Sequence, residues 1–131
     1  MTRLLIADDE ASLRKYLRRY LEGLGYEVRT AANGREAMSS VEELAPDVLI
    51  TDLHMPDMDG YEILRALRST GATFPIIAIS GGGQFDKRLL LASAAALGAV
   101  LTLEKPFELE ELHALVQKAL AGPAHEVEEN A

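Results

Sequence analysis

Apolar residues gather in five short runs, at 4–7, 26–30, 48–51, 75–79 and 99–103, each bounded by polar or small residues. The runs are rich in Val, Ile and Leu without strict alternation, the pattern of strands covered on both faces. Between them the apolar positions follow a helical period. The first such segment sets Leu13, Tyr16, Leu17, Tyr20, Leu21 and Leu24 on one stripe, with Arg14, Lys15, Arg18 and Arg19 on the other side, and closes at Gly23 and Gly25.

A second helix is predicted from Asn33, with Glu36 at the spacing of a capping box and Ala37, Met38, Val41 and Leu44 inward before Pro46 stops it. A third runs from about Gly60 to Gly71 with Ile63, Leu64 and Leu67 inward. A fourth, over roughly 85–97, is so rich in Leu and Ala that "RLLLASAAALGA" shows no clean polar face. A fifth starts at Glu108, gathers Leu109, Leu112, Val116, Ala119 and Leu120, and ends at Gly122 and Pro123. One domain is expected over 1–121, followed by a short acidic tail over 122–131.

Strict alternation of strand and helix predicts an α/β doubly wound parallel sheet of five strands with five helices, joined by right-handed crossovers. In such sheets ligands bind beyond the carboxyl ends of the strands. The residues there are Asp8 and Asp9 after the first strand, Asp52 after the third, Ser80 after the fourth and, in "EKPF", Lys105 and Pro106 after the fifth. Carboxylates brought to one spot repel and raise one another's pKa, and a cation relieves this. Hard oxygen ligands in this number suit Mg²⁺, which takes one or two carboxylates and a phosphoryl oxygen and keeps several waters. Lys105 is a compact cation that balances a carboxylate or an anionic ligand. A metal, a carboxylate nucleophile, a hydroxyl donor and a lysine are the parts that place a phosphoryl group on an aspartate.

Composition narrows the setting. The chain has 131 residues, 48% hydrophobic and 26% charged, the balance of one ordinary globular domain. Thirteen basic residues against 21 acidic ones give a net charge of −8. Such a field repels nucleic acid and anionic lipid, so no direct nucleic-acid partner and no membrane partner are expected. The lack of cysteine excludes a disulfide framework and a thiolate metal site. "MTRLLIADDE" lacks the apolar stretch of a signal peptide, and the longest uncharged stretch, 89–103, is shorter than a membrane span. A cytoplasmic protein is expected.

Four segments in order, "LLIADDE", "VLITDLHMPDMDG", "IIAIS" and "EKPF", resemble the receiver domain of two-component response regulators, over residues 2 to about 121. The stand-alone, chemotaxis-regulator-like type is the most similar. The resemblance implies a flavodoxin-like sheet in the order 2-1-3-4-5 and an aspartyl-phosphate switch, not an enzyme, that assists its own phosphotransfer and dephosphorylation. Carried over by position, Asp52 is the phosphoacceptor. Asp9, Asp52 and the backbone carbonyl of His54 ligate Mg²⁺, and Asp8 acts largely through water. Ser80 donates to one phosphoryl oxygen and Lys105 pairs with another. A cis Lys105–Pro106 peptide is implied as well, a geometry that only proline makes inexpensive. The implied partners are a histidine kinase or histidine phosphotransfer domain as donor, a downstream protein target and, on phosphorylation, a second copy of the chain.

One departure bears on the output. Thr102 stands where the family usually has Tyr or Phe, the aromatic that swings inward when Ser80 engages the phosphoryl group. The loop after Ser80 is a few residues longer than in the compact chemotaxis type and carries Gly81, Gly82 and Gly83. The signal is therefore expected to travel through that loop to the face formed by the fourth helix, fifth strand and fifth helix.

Some residues keep two readings. His54 is either a solvated loop histidine or a neighbour that tunes phosphoryl lifetime. The basic stripe Arg14, Lys15, Arg18 and Arg19 is either a solvated face or a docking surface. Rival functions fare worse. A phosphatase of the haloacid dehalogenase type wants a second Asp two residues after the nucleophile, where His54 stands. A flavin carrier needs a phosphate cradle where "DDEAS" repels phosphate. A receiver cut from a longer regulator or hybrid kinase stays open, with Gly122 and Pro123 starting a linker.

Overall fold

The computed structural model of the chain describes residues 1–55, 58, 60–81 and 100–122. Strands and helices alternate as β1 (Arg3–Ala7), α1 (Ala11–Gly23), β2 (Glu27–Ala31), α2 (Gly34–Glu43), β3 (Val48–Asp52), α3 (Gly60–Thr70), β4 (Ile76–Gly81), β5 (Val100–Lys105) and α4 (Leu109–Ala121). The helix expected over 85–97, with Gly82 and Gly83 before it, lies outside the described residues, as does most of the acidic tail. Four of the five expected helices are thus described, and α4 is the fifth of the sequence reading. All strand pairs are parallel and the order is β2-β1-β3-β4-β5, the order expected.

Local chemistry sets the helix starts. Asn33 Oδ1 accepts the Glu36 amide at 2.9 Å, and Glu36 Oε1 accepts the Ala32 amide at 2.8 Å. Glu108 and Glu111 close a capping box at α4. Each such cap contributes on the order of 1 kcal/mol. By contrast α1 starts at Glu10 without a side-chain cap and with no acidic residue in its first turn.

Strand alternation divides the core in two. Leu4, Ile6, Ile50, Ile77 and Ile79 face Leu17 and Leu21 of α1 and Leu112 and Val116 of α4. Leu5, Ala7, Leu49, Ile76 and Ala78 face Ala37 of α2 and Ile63, Leu64 and Leu67 of α3. With both faces covered, the central strands are buried almost throughout, which explains their unbroken apolar runs. Position 34, at the start of α2, is glycine because the loop after β3 packs onto it: a Cβ there would sit 2.6 Å from the Met58 carbonyl oxygen.

Four residues assigned to apolar stripes are exposed: Tyr16, Leu24, Leu44 and Leu120. Leu24 and Leu44 are C-caps, where the chain has left helical geometry. Leu120 stands in the last turn of α4. Tyr16 lies at the edge of the stripe, beside a groove described below. Among the described residues no helix is long and apolar enough to cross a membrane.

Candidate functional site

The parallel register brings the carboxyl ends of β1, β3, β4 and β5 to one edge of the sheet. Asp8 follows β1, Asp52 ends β3, Ser80 is next to last in β4 and Lys105 ends β5 opposite Gly81. Asp8, Asp52 and Ser80 are buried, Asp9 is exposed and Lys105 is partly exposed. One carboxylate oxygen each from Asp8, Asp9 and Asp52 lie within 4.8 Å of one another.

The carboxylates are held by backbone and by lysine. Asp52 Oδ1 accepts the His54 amide at 2.8 Å, and its Oδ2 accepts Lys105 Nζ at 3.0 Å. Asp8 Oδ1 accepts the Glu10 amide at 2.8 Å. Asp8 Oδ2 is buried without a hydrogen-bond partner, with Lys105 Nζ 3.6 Å away. Burial pushes the Asp8 carboxyl above the ordinary aspartate range; the Glu10 amide and Lys105 oppose this, and the charges of Asp52 and Asp9 add to it. For Lys105, burial works to lower the pKa, but the hydrogen bond to Asp52 and the charges of Asp8 and Asp52 outweigh it and raise it above the ordinary value.

This arrangement fits a hard divalent cation. A buried polar atom without a partner costs about 1–3 kcal/mol, more when charged, and a cation among the three carboxylates removes that cost at Asp8 Oδ2. Among the described residues one lysine, Lys105, ion-pairs with these carboxylates, which does not balance three negative charges.

The remaining predicted residues are placed as follows. The His54 amide belongs to the site while the residue as a whole is exposed. The Lys105–Pro106 peptide is cis. Thr102 lies exposed on β5, opposite Ala78, and is outside the carboxylate cluster. Sequence reasoning missed the inward turn of Arg14, whose Nη1 donates to the Asp8 carbonyl at 2.7 Å. The available signal was its position one turn before Leu17, at the flank of the buried stripe.

Beside the carboxylates lies an open groove of about 540 Å³. Leu13, Tyr16 and Leu17 of α1 form one wall, Pro106, Phe107 and Leu109 the other, and Glu10 and Lys105 join it to the site.

Comparison with known proteins agrees with this geometry. The sequence pattern of the response regulator receiver domain matches residues 4–117. Response regulator MprA of Mycolicibacterium vanbaalenii is 40% identical over 118 residues, 90% of this chain and 50% of that protein. The same protein of Mycobacterium leprae is 41% identical over 118 residues. The chain spans about half the length of these curated relatives. Among solved structures, chemotaxis protein CheY4 of Vibrio cholerae has a TM-score of 0.81 at 33% identity, covering 92% of this chain and 99% of that one. Sheet order, strand-end carboxylates and these likenesses agree, and the chain belongs to the response regulator receiver domain family of two-component signalling.

Proposed function

We propose that Asp52 accepts a phosphoryl group from the phosphohistidine of a histidine kinase or phosphotransfer domain, in a Mg²⁺-dependent reaction, and that the change is passed to a downstream protein. The observation that carries this reading is the setting of Asp52. It is a buried strand-end carboxylate held by a backbone amide and a lysine, beside two further carboxylates.

Asp8, Asp9 and Asp52, with the His54 carbonyl, are the residues that would hold Mg²⁺. When bound, it neutralises charge on the incoming phosphoryl oxygens. The His54 amide fixes the Asp52 carboxylate so that it does not rotate away. An Asp52 oxygen attacks phosphorus in line, the P–N bond breaks, and its electron pair leaves with the donor imidazole. Lys105 then transfers its hydrogen bond from Asp52 to a phosphoryl oxygen, and the Ser80 hydroxyl donates to another. Output leaves through the segment after β4. The chain thereby acts as a switch and turns over no outside substrate. The receiver is assigned to 1–121 and the tail to 122–131, and the cytoplasm, where ATP supplies kinase phosphohistidines, is the proposed setting.

The test is labelling by acetyl phosphate, read by intact mass. One phosphoryl group is expected with Mg²⁺ and none in excess chelator. Equal labelling in both conditions would overturn the reading.

The apolar groove beside the site is the proposed docking place for the donor's histidine-bearing segment, with exposed basic residues of α1 steering it. Arg14 is engaged with Asp8, and Arg18 pairs with Glu22 at 3.1 Å. Lys15 and Arg19 are exposed, with no ion pair among the described residues, and Arg19 stands one turn from Tyr16. Arg19→Glu is expected to slow transfer from the cognate kinase by roughly 3–10-fold at low salt and less at high salt. Acetyl phosphate labelling should be unchanged. Equal slowing with both donors would place the damage in the site and remove support for docking here.

A further inference from the structure

We propose that Arg14 is a positioning residue for the metal-binding carboxylates: held on the Asp8 carbonyl, it fixes the loop between β1 and α1 so that Asp8 and Asp9 meet Asp52 around one cation. The inference rests on the function proposed above, and its starting point is how little else fixes this loop. Its other bonds run from the Asp8 amide to the Ala31 carbonyl at 3.1 Å, from the Glu10 amide to Asp8 Oδ1 at 2.8 Å and from the Arg14 amide to the Glu10 carbonyl at 3.0 Å, with Ser12 Oγ 3.4 Å from Glu10 Oε2 and Lys105 Nζ 3.6 Å from Asp8 Oδ2; none of them holds the Asp8 carbonyl or Asp9. The helix that follows has no side-chain cap, so the usual device for setting its start is missing. Arg14 supplies an alternative from the second turn, reaching back over six residues to the Asp8 carbonyl at 2.7 Å. It is the half-buried member of the basic stripe; Lys15, Arg18 and Arg19 are exposed.

The choice of acceptor matters. A guanidinium placed on an Asp8 or Asp9 carboxylate would compete with a cation for the same oxygens. Arg14 Nη1 donates instead to the backbone carbonyl, so it orients the loop while Asp8 Oδ2 keeps no hydrogen-bond partner. Charge alone predicts the opposite outcome from positioning. Removing a positive group beside three carboxylates should tighten binding of a divalent cation, whereas loosening the loop should weaken it.

The experiment measures Mg²⁺ affinity of the full chain by calorimetry, with the Mg²⁺ dependence of acetyl phosphate labelling alongside. Arg14→Met keeps the apolar stem and removes the donors; it is expected to raise the Mg²⁺ Kd about tenfold, as loss of an outer partner commonly does. Arg14→Lys, a shorter and less rigid donor, should fall between it and the parent. Labelling at saturating Mg²⁺ should return to near the parent rate. Arg18→Ala, on the same helix but paired with Glu22 away from the loop, should leave Kd unchanged. Unchanged or tighter binding in Arg14→Met overturns the proposal, and so does a labelling rate that saturating Mg²⁺ fails to restore. If Arg14→Met does not fold, an unchanged Kd in Arg14→Lys overturns it instead. A parent chain that binds no Mg²⁺ removes the functional reading itself, whereas a parent that binds it as tightly as Arg14→Met does removes only the role of Arg14.

Discussion

Asp52→Ala is expected to lose labelling by acetyl phosphate altogether, by more than about 100-fold, because no other group takes over from a deleted nucleophile. The fold should survive. The Leu53 amide still donates to the Ile79 carbonyl, and β3 keeps its register with β1 and β4. Lys105 loses its 3.0 Å partner but retains Asp8 at 3.6 Å and part of its exposure to water. Intact mass after incubation with acetyl phosphate and Mg²⁺ reads the first expectation, and far-UV circular dichroism the second. A folded Asp52→Ala protein that labels as the parent does would exclude Asp52 as the acceptor.

Asp8→Asn should act in opposite directions on stability and on metal binding. The carboxyl of Asp8 stands above its ordinary pKa because burial disfavours its charge. An acid whose pKa is raised by folding binds its proton more tightly in the folded state, so its ionised form at neutral pH opposes folding. Asparagine mimics the protonated form. It keeps an oxygen for the Glu10 amide and removes one charge from a cluster within 4.8 Å. Without Mg²⁺ the variant is therefore expected to be more stable by about 1 kcal/mol, or roughly 3–5 °C in Tm for a domain of this size.

With Mg²⁺ the order reverses. A ligand at 100 times its Kd adds about 2.7 kcal/mol to the parent, and the variant, with a carboxylate removed from the site, gains less. Thermal melts in chelator and in saturating Mg²⁺ check both halves. A lower Tm for Asp8→Asn in chelator would contradict the view that these carboxylates are held together at a cost to the fold.

The parts of this molecule that the sequence disclosed are those fixed by local chemistry or by topology. Asn33 accepts the Glu36 amide three residues on, so spacing alone reveals that cap; the box between Glu108 and Glu111 was not read from the sequence. Asp8, Asp52 and Lys105 meet, with Ser80 at the same sheet edge, because parallel strands all end there, which follows from strand–helix alternation. Arg14 was not legible in this way. Periodicity put it with three solvated basic residues, and only the folded loop offers it the Asp8 carbonyl. Tyr16 failed for a related reason: its stripe position is shared with core residues, but α4 and the Pro106 turn leave a groove beside it. Periodicity reports which side of a helix faces inward and says nothing of whether the neighbouring elements close over it.

Asp52 and no other residue is the expected acceptor. Borohydride converts an aspartyl phosphate to homoserine, so the protein labelled with acetyl phosphate and Mg²⁺, reduced and digested, carries a permanent record of the acceptor. Homoserine is expected at position 52 alone, with an unaltered peptide when chelator is present during labelling. Homoserine at Asp8 or Asp9, a phosphoryl group retained on Ser80 or His54, or the same product in chelator would contradict it.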